Sequence, residues 1–470
     1  MVDRMPNLTG MTIETMKGKK YTLTDVLGFG SQGVVYNEKS GKLLIKLYYP
    51  SDSEQVNSDV LERLSFLSNS KMPPNFVTVL DVINTPYIGY VMEKISGYKP
   101  LNSYLVPPQN QNFFEWYSSG HGLRERLFIG YIIAKAFGEL ERENLSYCDI
   151  SGNNILIRVE KNVSVKMIDV DNIYVGGRGK ASVLGTPRYI APEVINKQKN
   201  PDVLSDNYAL AVILFELLRV GHPYISDDVL DGTPEDEEDA LAGKYPYVTD
   251  DNSMNMLPRD MVFTDKLSEL FERCFVDGKK DRIKRPSAIE FQHALLDASN
   301  KLVRCPSCKR WYYARKTYTE CPWECGSPAI KPDKLNFYDV LYDGESFQNG
   351  RIISKKLVNS YCIKPGKNQI KSMYVLRFDD IAGTDRSSEN YMTVAVDKGV
   401  VYAYNEFSKR GIFVKTPEGK YEPIPDMKAC PLTNGAEIYY EIREKEPIKI
   451  ECGGKPYSFI RVARFVEAKK

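Results

Sequence analysis

Residues 147–154 read YCDISGNN, between a long amphipathic stretch and the apolar run ILIRV at 155–159. Asp149 and Asn154 stand five positions apart on a polar loop that a strand follows, so a carboxylate and an amide are delivered close to one strand end. Such a pair suits a hard divalent cation and a hydroxyl, because oxygen ligands hold Mg²⁺ and a carboxylate orients an attacking oxygen. The loop carries no cation: Tyr147 and Cys148 precede Asp149, and Ser151 follows Ile150. Whether it works or is a remnant depends on what the rest of the chain supplies.

Upstream, LGFGSQGVVY at 27–36 places Gly28, Gly30 and Gly33, then Val35, between strand-like runs. Glycines let a backbone close over phosphates with no side chain in the way, and the valine can cover a purine ring. Thirteen residues past Gly33, LLIKLYY sets Lys46 in an apolar strand, a cation aimed at the α- and β-phosphates of ATP. Glu62 in the helical pattern DVLERLSFL is its expected ion-pair partner, with Glu54 the weaker candidate. In YVMEKISGYKPL the backbone of Glu93 and Ile95 is placed to meet an adenine edge, and Met92 to bound the space behind it. Downstream, VSVKMIDVDN ends an apolar strand at Asp169, so Asp149 orients a hydroxyl while Asn154 and Asp169 hold Mg²⁺ or Mn²⁺.

Composition narrows the classes. Lys and Arg total 63 against 62 Asp and Glu, which leaves no net field for nucleic acid or an anionic membrane. The longest apolar stretch, YALAVILFELL at 208–218, is broken by Glu216 and is far short of a membrane span. MVDRMPNLTG lacks an export signal, so a cytoplasmic protein is the expectation. A length of 470 residues predicts several domains. The boundaries read as an N-terminal extension at 1–20, a small β-sheet with one helix at 21–95, a mostly helical lobe at 96–302, a cysteine-rich segment at 303–327, a linker at 328–335 and short strands at 336–470.

Over roughly 20–300 these residues resemble the eukaryotic-type (bacterial, Hanks-type) Ser/Thr protein kinases, which implies an α+β multidomain chain with a bilobal kinase fold. GTPRYIAPEV at 185–194 is similar to the family's substrate-proximal loop, where Glu193 is expected to pair with Arg285 of RIKRPSA. SDNYALAVILFELLRVGHPY resembles its central buried helix, with Asp206 holding the catalytic-loop backbone. These two elements imply a protein substrate over a small molecule, and Thr186 resembles Ser/Thr-directed members. The departures are Tyr147 for His, Cys148 for Arg, Ser151 for Lys, and Asp169-Val170-Asp171 for Asp-Phe-Gly. Without an arginine at 148, activation-segment phosphorylation is not expected to be the main switch. Loss of the lysine at 151 removes on the order of 2–4 kcal/mol of transition-state stabilisation, by analogy with one lost oxyanion donor. Asp171 either helps with metal or caps its turn, the cap being favoured. The alternative reading is a pseudokinase scaffold that binds nucleotide and partner without transfer. The acidic run at 227–247 reads as a solvated helix start or a recruiter of basic partners.

Cys305-x2-Cys308, twelve residues, then Cys321-x3-Cys325 supply four thiolates on two tight turns, the donor set of a structural Zn²⁺ ribbon with no open position. The insert between them, with Arg310, Trp311, Tyr312 and Tyr313, is expected to pack the ribbon rather than stack on nucleic acid. From about 336 the order of segments resembles forkhead-associated domains, all-β sandwiches that read phosphothreonine. That resemblance sets Gly366 and Lys367, Ser388, Tyr391, Ser408 and Gly411 at motif positions, with Arg410 where an Asn belongs; Lys367, Ser388 and Arg410 are the implied phosphopeptide contacts. The whole architecture is similar to bacterial kinases found with von Willebrand A-type proteins and phosphatases in tellurite-resistance-like systems. It implies a phosphoprotein partner.

Overall fold

A computed structural model describes residues 5–118, 122–160, 162–175, 185–249, 253, 255–344, 350–371, 390–405, 411–441, 448–452 and 455–468. The chain forms two compact units, residues 1–296 and 297–470. No helix among the described residues is long and apolar enough to cross a membrane.

The first unit begins with a six-stranded sheet built from β1 (Thr12–Glu14), β2 (Lys20–Phe29), β3 (Gly33–Glu38), β4 (Leu43–Tyr48), β5 (Asp81–Ile83) and β6 (Gly89–Glu93), in the order β1-β2-β3-β4-β6-β5. Alternation assigns the faces. Val34, Tyr36, Ile45, Leu47 and Val91 turn to one side and form a core with Leu8, Ile13, Leu23 and Ile83. The register pairs Val35 with Lys46 and Lys46 with Tyr90, so these three share the other face. Gly33 is required by close approach, since a Cβ there would sit 2.1 Å from the Leu47 carbonyl oxygen.

Helix α1 (Glu54–Asn69) follows β4, its N-terminus capped by Ser53, whose side chain accepts from the Val56 amide. Leu64 and Leu67 are its buried residues, so Glu62 falls on the exposed side. The rest of the unit is largely helical. The helix Leu123–Arg142 and the helix Val203–Arg219 pack together, and the latter is buried along nearly its whole length. An Asp202/Ser205 capping box starts it. Strands Ile155–Val159 and Val163–Met167 form an antiparallel pair in which the loop 147–154 enters the first strand and Asp169 follows the second at the same end.

Glu193 and Arg285 form a bidentate pair, with Nη1 to Oε1 at 2.8 Å and Nη2 to Oε2 at 2.7 Å, while Arg285 Nη1 also donates to the Leu204 carbonyl. The Arg285 side chain is 1% exposed.

In the second unit, strands Leu302–Arg304 and Trp311–Tyr313 pair, and the cysteine turns flank the latter strand. Trp323 donates to the Trp311 carbonyl and Tyr312 accepts from the Ile330 amide, so the aromatic insert packs within the segment. The remaining strands form a seven-stranded sheet and a four-stranded sheet. Arg351–Cys362, Lys334–Asp343, Lys455–Val466 and Glu437–Glu441 are successive neighbours in the larger one. Lys367 is exposed in the strand Gly366–Lys371 of the smaller one. Ser388, Ser408 and Arg410 lie outside the described residues.

Removing one member of a buried ion pair leaves the other charge uncompensated. Arg285→Met should therefore destabilise the first unit by about 3–5 kcal/mol, read as a lower urea midpoint and faster hydrogen exchange along 203–219. Burial opposes the Glu193 charge, but Arg285 holds its carboxyl below the ordinary 4.5. The pair's contribution is thus present above that value and is lost as pH falls through the lowered one, a slope that the variant should lack.

Candidate active site

The loop 147–154 is fixed from beneath. Asp206, in the first turn of the helix Val203–Arg219, accepts from the Tyr147 amide at 2.5 Å, the Cys148 amide at 3.0 Å and the Ser146 hydroxyl at 3.0 Å. Cys148 takes φ 68°, a left-handed conformation that costs an L-residue energy and persists because these bonds hold both neighbouring amides. Tyr147 is fully buried, packs on Phe76 and Phe137 at ring distances of 5.8 and 5.6 Å, and donates its hydroxyl to the Ile168 carbonyl. The ring thus supports the turn that carries Asp169.

Within the loop, Asn154 donates Nδ2 to the Asp149 carbonyl and to its carboxylate, both at 2.9 Å. Thr186 donates to the other Asp149 oxygen at 2.9 Å. The Ile168 amide donates to the Asn154 carbonyl at 2.9 Å, which ties the loop to the second strand of the pair. Asp169, also left-handed at φ 54°, follows immediately, its side chain 39% exposed. Burial, Asp171 and Asp149 push its carboxyl above the usual range against the pull of Lys46, which lies 3.5 Å away.

Lys46 therefore meets Asp169, and Val35 lies beside it on the same face. Gly30 and Gly33 close the β2–β3 turn through a 2.8 Å bond from the Gly30 amide to the Gly33 carbonyl, and Gly28 pairs with Val35 in β2. Met92 is buried on β6, Glu93 exposed at its end and Ile95 half-buried just beyond.

Glu62 does not join this group. It is exposed and makes no ion pair among the described residues, because the phase of α1 turns it to solvent and Lys46 already has a buried partner. That partner is Asp171. Lys46 Nζ donates to its two oxygens at 3.0 and 2.9 Å, Tyr90 donates to Oδ1 at 3.0 Å, and Tyr48 donates to Oδ2. Asp171 is fully buried within the short helical turn Val170–Asn172, so it neither caps the turn by a side-chain bond nor reaches solvent as a metal ligand would. Burial opposes both charges, yet the pair holds the ammonium above its ordinary value and the carboxyl below its own.

The sequence matches the protein kinase domain family over residues 21–295, more than half of the 470-residue chain. The chain belongs to the protein kinase family. Among curated relatives, a cGMP-dependent protein kinase of Eimeria tenella is 33% identical over 153 residues, 32% of this chain and 14% of the relative. Serine/threonine-protein kinase KIC1 of Saccharomyces cerevisiae is 28% identical over 270 residues, 55% of this chain and 22% of the relative. Serine/threonine-protein kinase D3 of Homo sapiens is 28% identical over 218 residues, 43% and 23% respectively. The chain thus spans less than a quarter of each of these relatives' lengths.

Within this kinase domain, sequence reasoning missed Tyr48 and Tyr90 as site residues and Thr186 as a partner of Asp149. The signal for the tyrosines was present: Tyr48 is two residues from Lys46 on one strand face, and Tyr90 is its cross-strand partner.

In the second unit, the sulfurs of Cys305, Cys308, Cys321 and Cys325 lie within 4.8 Å of one another. The Cys305–Cys325 and Cys308–Cys321 sulfur separations are 3.5 and 3.8 Å.

Burial pushes the Asp206 carboxyl from its ordinary 3.8 up to about 7, against the three donors that favour its charge. A carboxyl that holds its proton more tightly when folded contributes stability that declines as pH rises from 3.8 toward 7. Asp206→Asn should abolish that slope and destabilise the unit by about 1–3 kcal/mol at neutral pH, since an amide cannot accept from both amides and the hydroxyl equally well. Urea unfolding of both proteins between pH 4 and 8 checks this.

Proposed function

We propose that the chain is an ATP- and Mg²⁺-dependent Ser/Thr protein kinase. The observation that carries this reading is that Lys46 lies 3.5 Å from Asp169 and Asn154 donates to Asp149 at 2.9 Å, while the Ile168 amide, one residue before Asp169, joins the two pairs by donating to the Asn154 carbonyl at 2.9 Å. Phosphoryl transfer depends mainly on positioning and charge neutralisation, and these groups supply both. Asp149 orients the acceptor hydroxyl and takes up its proton. Thr186 and Asn154 aim that carboxylate, one on each oxygen, which leaves its outer lone pairs for the acceptor. The glycine turn offers backbone amides to the phosphates, and Lys46 offers the cation.

The donor set fits a hard cation. Asn154 spends its amide hydrogens on Asp149, which leaves its side-chain oxygen as a donor atom, and the partly exposed Asp169 follows the Ile168 amide that bonds the Asn154 carbonyl. Mg²⁺ held by these two residues would neutralise charge on the phosphate oxygens. The names of the relatives, and Thr186 against the hydroxyl-orienting carboxylate, support a serine or threonine acceptor on a protein. The absence of a cation at Ser151 supports slow turnover.

With labelled ATP, Mg²⁺ and a generic protein acceptor, the wild type should transfer label, and Asp149→Ala and Asp169→Ala should each lose at least 100-fold. Nucleotide binding by the wild type without transfer would instead establish the scaffold reading.

For the second unit we propose a structural Zn²⁺ site. Four thiolates within 4.8 Å of one another would repel unless a cation sat between them, and four sulfurs leave no open position for catalysis. Protein purified without chelator should contain one zinc per chain by plasma emission. Cys321→Ser should lower that below one half and melt the segment 302–327 at lower temperature. Metal-free wild type with unchanged melting would remove the assignment.

A further inference from the structure

Lys46 needs a carboxylate to fix its position, and the element that could supply one offers none. Helix α1 carries three acidic residues, Glu54, Asp59 and Glu62, and all three are exposed. Its neighbour to Glu62 on the inward side, Arg63, is a cation whose Nε and Nη2 are buried without a hydrogen-bond partner. Arg63 lines a cavity of about 410 Å³ with Tyr48, so the face that α1 presents to β4 is positive. A positive face repels an ammonium.

The turn after the strand Val163–Met167 presents the opposite chemistry. It carries two carboxylates with different surroundings. Asp169 is 39% exposed by side chain and stands 3.5 Å from Lys46, free to meet solvent and ligand. Asp171 is 0% exposed and spends both oxygens on Lys46, Tyr48 and Tyr90. A bidentate contact at 2.9–3.0 Å fixes the ammonium far more tightly than one at 3.5 Å.

We infer that Asp171 is the positioning residue for Lys46, so that the nucleotide lysine is set by the turn bearing Asp169 and not by α1. The assignment rests on the kinase reading above and deepens it. Two carboxylates two residues apart then divide the work: the exposed one serves the metal, and the buried one serves the lysine. Among the described residues none of the bonds of Lys46 runs to α1, which bears on it only through its packing against the turn Val170–Asn172.

The test compares full-length wild type with Glu62→Gln, Asp171→Asn, Lys46→Met and the double variant Lys46→Met/Asp171→Asn. Steady-state transfer gives kcat and KM for ATP·Mg²⁺, a fluorescent ATP analogue gives Kd, and thermal melting reports folding. Glu62→Gln should stay within 3-fold of wild type in kcat/KM, whereas Asp171→Asn should fall at least 30-fold with a raised nucleotide Kd. In the Lys46→Met background, Asp171→Asn should change nucleotide Kd less than 3-fold, because its effect runs through the lysine; a merely structural role would give multiplying losses. A loss above 10-fold in Glu62→Gln overturns the assignment even if Asp171→Asn fails to fold. So does an active wild type beside an equally active Asp171→Asn, with the kinase reading intact. A wild type that neither binds nor transfers overturns that reading and this one with it.

Discussion

An ammonium in the middle of a strand whose two faces are both covered is costly unless a carboxylate reaches it. Lys46 is 6% exposed, and the residue that satisfies it decides how the small sheet meets the rest of the first unit. Because Lys46 and Tyr48 lie on β4 and Tyr90 on β6, three donors from the sheet converge on one carboxylate of a turn 81 to 125 residues downstream of them. The same turn is fastened a second way. The Val77 amide donates to the Met167 carbonyl at 2.9 Å and the Met167 amide to the Asn75 carbonyl at 2.8 Å, which brings the strand leading to Asp169 against the segment after α1. The cleft edge is therefore framed by a charge contact on one side and a backbone contact on the other.

The loop 147–154 depends on a different solution to the same problem. Asp206 is buried, but its neighbours are dipoles and not a cation, so its charge is supported only by two amides and a hydroxyl. Asp206 holds the loop through the Tyr147 and Cys148 backbone amides, bonds that do not depend on which side chains stand at 147 and 148. Tyr147 reaches the Ile168 carbonyl with a hydroxyl on a large apolar ring. Cys148 contributes its backbone amide, and its thiol is buried with its proton held firmly by desolvation. Groups needed for geometry survive in other chemical forms, while those needed for added charge are absent.

Much of this was legible in the sequence. The glycine turn, Lys46 in its apolar strand, and Asp149, Asn154 and Asp169 beside apolar strand runs could each be picked out from local pattern. The partner of Lys46 was not legible, for a specific reason. Neighbouring helix residues point about 100° apart, and Val60, Leu61, Leu64 and Phe66 mark an apolar stripe too broad to decide between positions 62 and 63. The helix phase was fixed instead by packing of Leu64 and Leu67, which turned Glu62 outward. Asp171 was visible as a departure, but its role required knowing that Tyr48, Lys46 and Tyr90 share one face, a cross-strand fact that depends on register. In the second unit the cysteine spacing carried its own geometry. The strand order of the sheets did not, since it arises from pairings between residues over 100 positions apart, such as Lys334 with Val466.

The exchange of glycine for Asp171 bears on how such a domain can be switched. A glycine after the metal-binding Asp leaves a turn free to rotate. Here the turn is nailed by a carboxylate that cannot leave its site without stranding a buried lysine, at a cost of about 3–5 kcal/mol when one partner of such a pair is lost. Rotation of that turn would then be populated at less than one part in a hundred, and the missing arginine at Cys148 removes the usual receptor for a phosphorylated segment. The charged groups nearest the turn are committed to fixed contacts, Lys46 to Asp171 and the Asp206 carboxyl to the loop backbone.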